Sequence, residues 1–171
     1  AALFKQSVNW QDYALLMLTP PKTLEKETIS RELVFVVDTS GSMDGSSMEQ
    51  AKIALQYGLT QLRPQDRFNI IRFSHDVGSL FSSARLATRT NLDIAHDYID
   101  WLRADGGTEM APALELALQN QIERQGLRQI VFLTDGSVGN EDELFSIIED
   151  NLGNSRLFTV GIGSAPNSHF M

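Results

Sequence analysis

The sequence predicts an α/β fold: a doubly wound, mostly parallel central sheet with helices on both faces and a short antiparallel edge strand. Three observations carry that prediction. Strand-like apolar runs alternate with helical stripes along most of the chain, an order that needs parallel crossovers. Residues 33–37 (LVFVV) are continuously apolar and rich in β-branched side chains, which suits a central parallel strand covered on both faces. The unusual polar residues fall at the carboxyl ends of such runs, where open α/β sheets gather ligands.

The elements follow in order. Residues 15–18 (LLML), closed by Pro20 and Pro21, read as a short strand. The charged stretch KTLEKETISRE has no clear period and is a connection. After the central strand, Met48, Ala51, Leu55, Leu59 and Leu62 recur at helical spacing until Pro64. Residues 68–73 (FNIIRF) form the next strand, and a turn at 74–76 leads to another at 77–81. Leu92, Ala95, Tyr98, Ile99 and Leu102 make a second helical stripe, stopped by Asp105, Gly106 and Gly107. Met110, Leu114, Ala117, Leu118 and Ile122 make a third, with Pro112 in the first turn, where its missing amide proton does no harm. Residues 129–134 (QIVFLT) are a strand. Leu144, Ile147, Ile148 and Leu152 give a fourth helix, its first turn holding Glu141, Asp142 and Glu143 at the positive end of the dipole. Residues 157–162 (LFTVGI) are the last strand. The expected division is residues 1–30 as an N-terminal extension with an edge strand and 31–171 as the domain.

The bulk properties suit this reading. The 171 residues, 42 % apolar and 21 % charged, fit one domain with a single well-buried core. A net charge of −8 argues against nucleic acid or an anionic membrane as partner and suits a cation or a basic surface. The absence of cysteine excludes disulfides and thiolate metal sites. No apolar run approaches membrane-spanning length, so no direct membrane insertion is expected. The chain starts AALFKQ and stops after GSAPNSHF, so it reads as a segment of a longer protein, with a final covering helix expected beyond Met171. Nothing in it fixes an oligomeric state; a monomer is assumed.

The strand ends hold the chemistry. Asp38, Ser40 and Ser42 follow the first central strand, Thr108 follows a Gly-Gly turn and opens a helix, and Asp135 closes QIVFLT. Two carboxylates and three hydroxyls would then meet on one rim. Oxygen donors alone select a hard cation, Mg²⁺, Mn²⁺ or Ca²⁺, over zinc or copper. Residues at i, i+2 and i+4 of an extended segment point the same way, and Gly41 would let the backbone bend around the ion. Each piece also has a plainer reading. SGSMDGSS suits a flexible loop with Asp38 as a helix cap, Thr108 a helix cap, and Asp135–Gly136 a common turn pair. The combination, in order and at strand ends, is what is specific.

VFVVDTSGSM, GGTEM and VFLTDGSVGNE together resemble a von Willebrand factor type A domain with an intact metal-ion-dependent adhesion site. The resemblance covers roughly residues 33–164 and implies a Rossmann-like sheet, here truncated at its C-terminus. DYALLMLTPPK and GIGSAPNSHFM resemble the inter-alpha-trypsin-inhibitor heavy-chain branch, whose bacterial relatives include envelope-anchored proteins; an extracellular or cell-envelope location is what that implies. Carried over by residue, Asp38, Ser40, Ser42, Thr108 and Asp135 match the five site positions. The resemblance implies direct coordination by the two serines, with Asp38, Thr108 and Asp135 binding directly or through water, and it favours Mg²⁺ over Mn²⁺ or Ca²⁺. Asp44 and Gly45 stand where integrin versions carry paired acids, so no adjacent second metal site is expected.

The functional expectation is metal-bridged recognition: a partner protein supplies a carboxylate to the ion, with no nucleophile or proton shuttle. Asp44, Asp105, Glu109 and Glu141 lie near the loops, so the partner would offer one acid within a basic patch. Two rivals stand beside this. A Mg²⁺-dependent phosphohydrolase of the haloacid-dehalogenase type would need an acid where Ser40 stands, and His75, His96 and His169 show no ligand spacing. No Gly-x-x-x-x-Gly-Lys-Ser/Thr stretch exists, which argues against a P-loop nucleotidase. The second rival is a metal-stabilised spacer in a surface protein.

Overall fold

The computed structural model describes residues 2–17, 29–119, 126–136 and 141–163. Among these residues, eight strands and four helices run in the order β1 (Ala2–Val8), β2 (Gln11–Met17), β3 (Arg31–Asp38), α1 (Ser46–Thr60), β4 (Arg67–Phe73), β5 (Val77–Ser79), β6 (Arg85–Leu86), α2 (Arg89–Trp101), α3 (Met110–Leu118), β7 (Leu127–Thr134), α4 (Glu141–Asn151) and β8 (Arg156–Gly161). The central sheet has the order β5-β4-β3-β7-β8, with β6 also paired to β4. β3, β4, β7 and β8 are parallel neighbours, while β5 and β6 lie antiparallel on β4.

β3 is buried on both faces because its side chains alternate between two cores. Phe35 and Val37 join Leu55 and Leu59 of α1 and Ile99 of α2. Val34 and Val36 join Ala113, Leu114 and Ala117 of α3 and Leu144 of α4. The helical stripes follow the expected spacing: Met48, Ala51, Leu55 and Leu59 are the buried residues of α1. α2 begins at the N-cap Thr88, whose hydroxyl accepts from the Asn91 amide. α3 ends at Leu118, and Ile122, expected on its stripe, lies outside the described residues.

Two expectations need correction, and β1 and β6 are new. Of the strand expected at 15–18, residues 15–17 belong to the longer β2 and Leu18 lies outside the described residues; β2 pairs with β1 in a separate two-stranded sheet, so among the described residues it is no edge of the central sheet. β1 was not foreseen. Its turn, Asn9–Trp10, has positive φ at both residues (51° and 66°), the conformation that Asn-Gly would have announced. The strand expected over 77–81 stops at Ser79; the amide of Leu80 still donates to the Ile70 carbonyl. Two-residue β6 is too short to show a period.

Parallel β3 and β7 both point their carboxyl ends to one rim, which brings Asp38 level with the end of β7 (Val37 pairs with Leu133). Of the expected site residues, Asp38 ends β3 and Asp135 directly follows β7 at that rim.

Candidate metal centre

Asp38 ends β3 and is fully buried. Its Oδ1 accepts from the Ser40 amide at 2.8 Å and its Oδ2 from the Thr134 hydroxyl at 2.8 Å. Both carboxylate oxygens are therefore aimed by short hydrogen bonds. Burial pushes the Asp38 carboxyl above its ordinary value, and the nearby Asp135 charge adds to this. The hydrogen bonds from Ser40 and Thr134 offset the shift only in part. Among the described residues no cationic side chain pairs with Asp38.

The backbone stays extended only as far as Ser40 (φ −66°, ψ 165°), and residues Gly41–Met43 turn into a short 3₁₀ helix. The serines thus do not meet by continuing the strand, as the alternate spacing suggested. The turn brings them together, with Ser40 Oγ 3.1 Å from Ser42 Oγ. Met43 holds the turn: its side chain is fully buried and its amide donates to the Ser40 carbonyl at 3.0 Å. Gly41 is not in left-handed backbone; Gly45 is, at φ 75°.

The loop that carries Thr108 is fastened by three backbone hydrogen bonds. The Asp105 amide donates to the Thr39 carbonyl (2.8 Å), the Gly41 amide to the Gly106 carbonyl (3.0 Å), and the Glu109 amide to the Ser74 carbonyl (2.7 Å). Gly106 has φ 80°, and a Cβ there would lie 2.2 Å from His75 Nδ1. Only glycine fits. Thr108 is half-buried just before α3, but the N-cap residue of that helix is Glu109 and no side chain caps it. The simple capping role for Thr108 is not what the structure has.

The third loop leaves β7 through Thr134, fully buried, and Asp135, half-buried. The Thr134 hydroxyl donates to Asp38 and accepts from the Gly136 amide at 3.0 Å. One side chain therefore ties the first loop to the third. Thr39 adds a further tie, its amide and its hydroxyl both donating to the Phe73 carbonyl.

The roles of Thr134, Thr39 and Ser74 were not foreseen from the sequence, and Gly106 was read only as a helix stop and part of the Gly-Gly turn before Thr108. A polar residue closing the buried strand QIVFLT was the available signal for Thr134. No group of three His, Cys, Asp or Glu side chains gathers among the described residues to form a metal site; a cation held at this rim would take hydroxyl donors beside the carboxylates. The donor set fits one: a buried carboxylate without a basic partner, a second carboxylate close enough to raise it, and two hydroxyls in van der Waals reach of each other. Of the expected rim acids, Asp44, Asp105 and Glu109 are exposed and Glu141 is half-buried. Beside them Arg72 grips Asp76 through two hydrogen bonds of 2.8 and 3.0 Å, which lowers Asp76 to about 2. His75 is exposed in the turn after β4, His96 is half-buried on α2, and His169 lies outside the described residues.

A family model described as von Willebrand factor type A domain matches residues 31–171. A von Willebrand factor A domain-containing protein of Dictyostelium discoideum is 33 % identical over 158 residues, covering 90 % of this chain and 17 % of its own length. Mouse inter alpha-trypsin inhibitor, heavy chain 4 is 36 % identical over 157 residues, covering 84 % and 17 %. The chain thus spans about a sixth of these relatives. Among solved structures, the von Willebrand factor type A protein from Catenulispora acidiphila superposes with a TM-score of 0.72 at 23 % identity, over 80 % of this chain and 34 % of the other. Proximal thread matrix protein 1 from the mussel byssus, with a zinc-occupied MIDAS motif, gives 0.62 at 16 % identity, over 80 % and 39 %. The sheet order, the strand-end loops and the match over 31–171 lead to one conclusion: the chain belongs to the von Willebrand factor type A domain family.

Proposed function

We propose that this domain is a divalent-metal-dependent recognition module, in which Asp38, Ser40, Ser42, Thr108 and Asp135 hold a hard cation and a partner protein completes its shell with a carboxylate. One observation carries the reading: Asp38 is buried, aimed by two hydrogen bonds and lacks any basic partner among the described residues, at the point where three loops are tied together. A carboxylate so placed is matched by a cation or stays costly. Ser40 and Ser42 would touch the ion, and Asp38, Thr108 and Asp135 would bind it directly or through water. The bound ion supplies electrophilic attraction for an acidic side chain. The protein groups supply position and exclude bulk solvent; no nucleophile or general base is required.

Oxygen donors favour Mg²⁺, with Mn²⁺ and Ca²⁺ as alternatives. The zinc in the mussel neighbour belongs to that protein. The exposed acids Asp44, Asp105 and Glu109 around the rim select a partner whose coordinating acid sits in a basic patch, and binding should weaken steeply with salt. We place the recognition domain at 31–171, with 1–30 as an extension, and its setting at a cell surface or outside the cell, as the heavy-chain relative suggests. Calorimetry of the chain with millimolar Mg²⁺ and Mn²⁺, followed by pull-down from surface extract with Mg²⁺ or with chelator, tests the reading. Uptake of one ion and chelator-sensitive capture, both lost in Asp38→Ala, are expected. No ion uptake by folded protein refutes it, and turnover of generic phosphoesters with Mg²⁺ would favour the phosphohydrolase instead.

A further inference from the structure

We propose that the opposite end of the sheet carries a second binding site, for a small tetrahedral oxyanion of the phosphate or sulfate class. It does not depend on the metal reading, being at the start of β3, six residues and so roughly 20 Å from Asp38 along the strand.

The site begins with register. Glu32 of β3 pairs with Arg67 of β4 on one side and with Arg128 of β7 on the other. Directly paired residues share a face, so two guanidiniums flank one carboxylate in a single row. The row sits on the face that Val34 also serves, and a cavity of about 90 Å³ lies over it, several times what one water requires. Two arginines and one glutamate leave a local charge of +1 on a molecule whose net charge is −8.

The hydrogen bonds show which donors remain. Arg128 spends Nε on Glu32 Oε1 (2.9 Å) and Nη2 on the carbonyls of Ala117 (2.8 Å) and Gln119 (3.2 Å) at the end of α3. Its Nη1 is buried and has no hydrogen-bond partner among the described residues. Arg67 spends Nη1 on the Ala84 carbonyl at 2.7 Å. Asn69, also lining the cavity, is held by hydrogen bonds to the Phe81 carbonyl and from the Phe81 and Ile70 amides, which fixes the wall. Ser82 and Ser83 also line the cavity.

A guanidinium cannot shed its proton, so its buried N–H must be met by an acceptor. Glu32 cannot serve both arginines with full charge. An oxyanion with acceptors on several sides matches the Nε–Nη2 edge that Arg67 has left and the serine hydroxyls at once, under the added charge of Arg128. A planar carboxylate offers fewer acceptors, so the tetrahedral class is favoured.

The test uses the whole chain in chelator, which silences the metal site. Inorganic phosphate and sulfate are titrated against acetate and chloride at fixed ionic strength, with melting temperature and the arginine Nε–H NMR signals as readouts. Saturable phosphate binding in the millimolar range is expected, with signals of Arg67 and Arg128 moving. Arg67→Gln leaves the bonds of Arg128 intact and should weaken binding at least tenfold. Arg67→Lys keeps the charge without the fork and should weaken it several-fold. Asp38→Ala should bind phosphate as the parent does. The proposal is overturned by a response that does not saturate, by equal binding in the parent and both Arg67 variants, by acetate binding as well as phosphate, or by a crystal grown in phosphate that shows only water in the cavity.

Discussion

Replacing Thr134 by valine isolates the tie between the first and third loops. The hydroxyl is fully buried and makes two hydrogen bonds, one to the Asp38 carboxylate at 2.8 Å and one from the Gly136 amide at 3.0 Å. Valine has nearly the same shape but offers neither. A hydrogen bond to a charged group is worth about 1.5–3 kcal/mol, and a buried amide left unpaired costs about 1–3 kcal/mol. Added apolar contact from the second methyl returns about 1 kcal/mol. The net loss is about 1.5–5 kcal/mol, and for a chain of this size each kcal/mol lowers Tm by roughly 2–4 °C. Urea unfolding in chelator measures the stability term, and Mn²⁺ titration of the folded variant measures the site. Valine should lose both stability and ion affinity, because the Asp38 carboxylate and the Asp135 loop lose their common anchor. Thr134→Ser should restore most of each. A valine variant within about 0.5 kcal/mol of the parent, or a serine variant no better than valine, refutes the claim that this hydroxyl organises the rim.

Other expectations follow from the same contacts. Gly106→Ala places a Cβ 2.2 Å from His75 Nδ1 at φ 80°, so it should cost about 1–3 kcal/mol by urea unfolding and weaken ion binding; adding His75→Ala should recover the steric part but not the backbone part. Asp66 is buried at the other end of the sheet. Burial pushes its carboxyl up, but hydrogen bonds from Arg31 and the Arg63 amide, with both guanidinium charges, hold it below its ordinary value. Arg72 holds Asp76 at about 2. Both folded values lie below the ordinary 3.8, so their stabilisation is full above that pH and is lost as pH falls through each folded value, about 2 for Asp76. Acid titration of stability should show this loss, and Asp66→Asn should flatten it while costing about 3 kcal/mol at pH 7. Asp38→Asn should abolish ion uptake by calorimetry yet leave the metal-free Tm equal or higher, because it removes a buried charge that has no basic partner.

The layers of the fold were legible because side-chain periodicity reports burial directly. Met48, Ala51, Leu55 and Leu59 declare a helix face, and the unbroken run into Asp38 declares a strand covered twice. What stayed illegible had weaker or no side-chain signature. β1 is ALFKQSV, mixed in polarity and followed by Asn-Trp, so neither alternation nor turn chemistry announced it. All its side chains given an exposure are exposed, and without a buried face there is no pattern to read.

The candidate site divides along the same line. Asp38, Ser40, Ser42, Thr108 and Asp135 were readable as oxygen-bearing side chains at strand ends, but the forces that assemble them are mostly main-chain. Three of the ties are backbone amides to the carbonyls of Thr39, Gly106 and Ser74, which any sequence could supply in principle. They demand particular residues only where space or φ intervenes, as at Gly106 against His75. This explains why the Ser40–Ser42 geometry departed from the expected extended segment. The 3₁₀ turn at Gly41–Met43 is set by the buried Met43 and by the Gly41 amide bound to a loop 65 residues away. A site whose hydroxyls are oriented through such long-range main-chain bonds is already arranged before any ion arrives. Ion binding should therefore change the backbone little, and amide exchange at Gly41, Asp105 and Glu109 should be slow in chelator and only modestly slower with Mg²⁺.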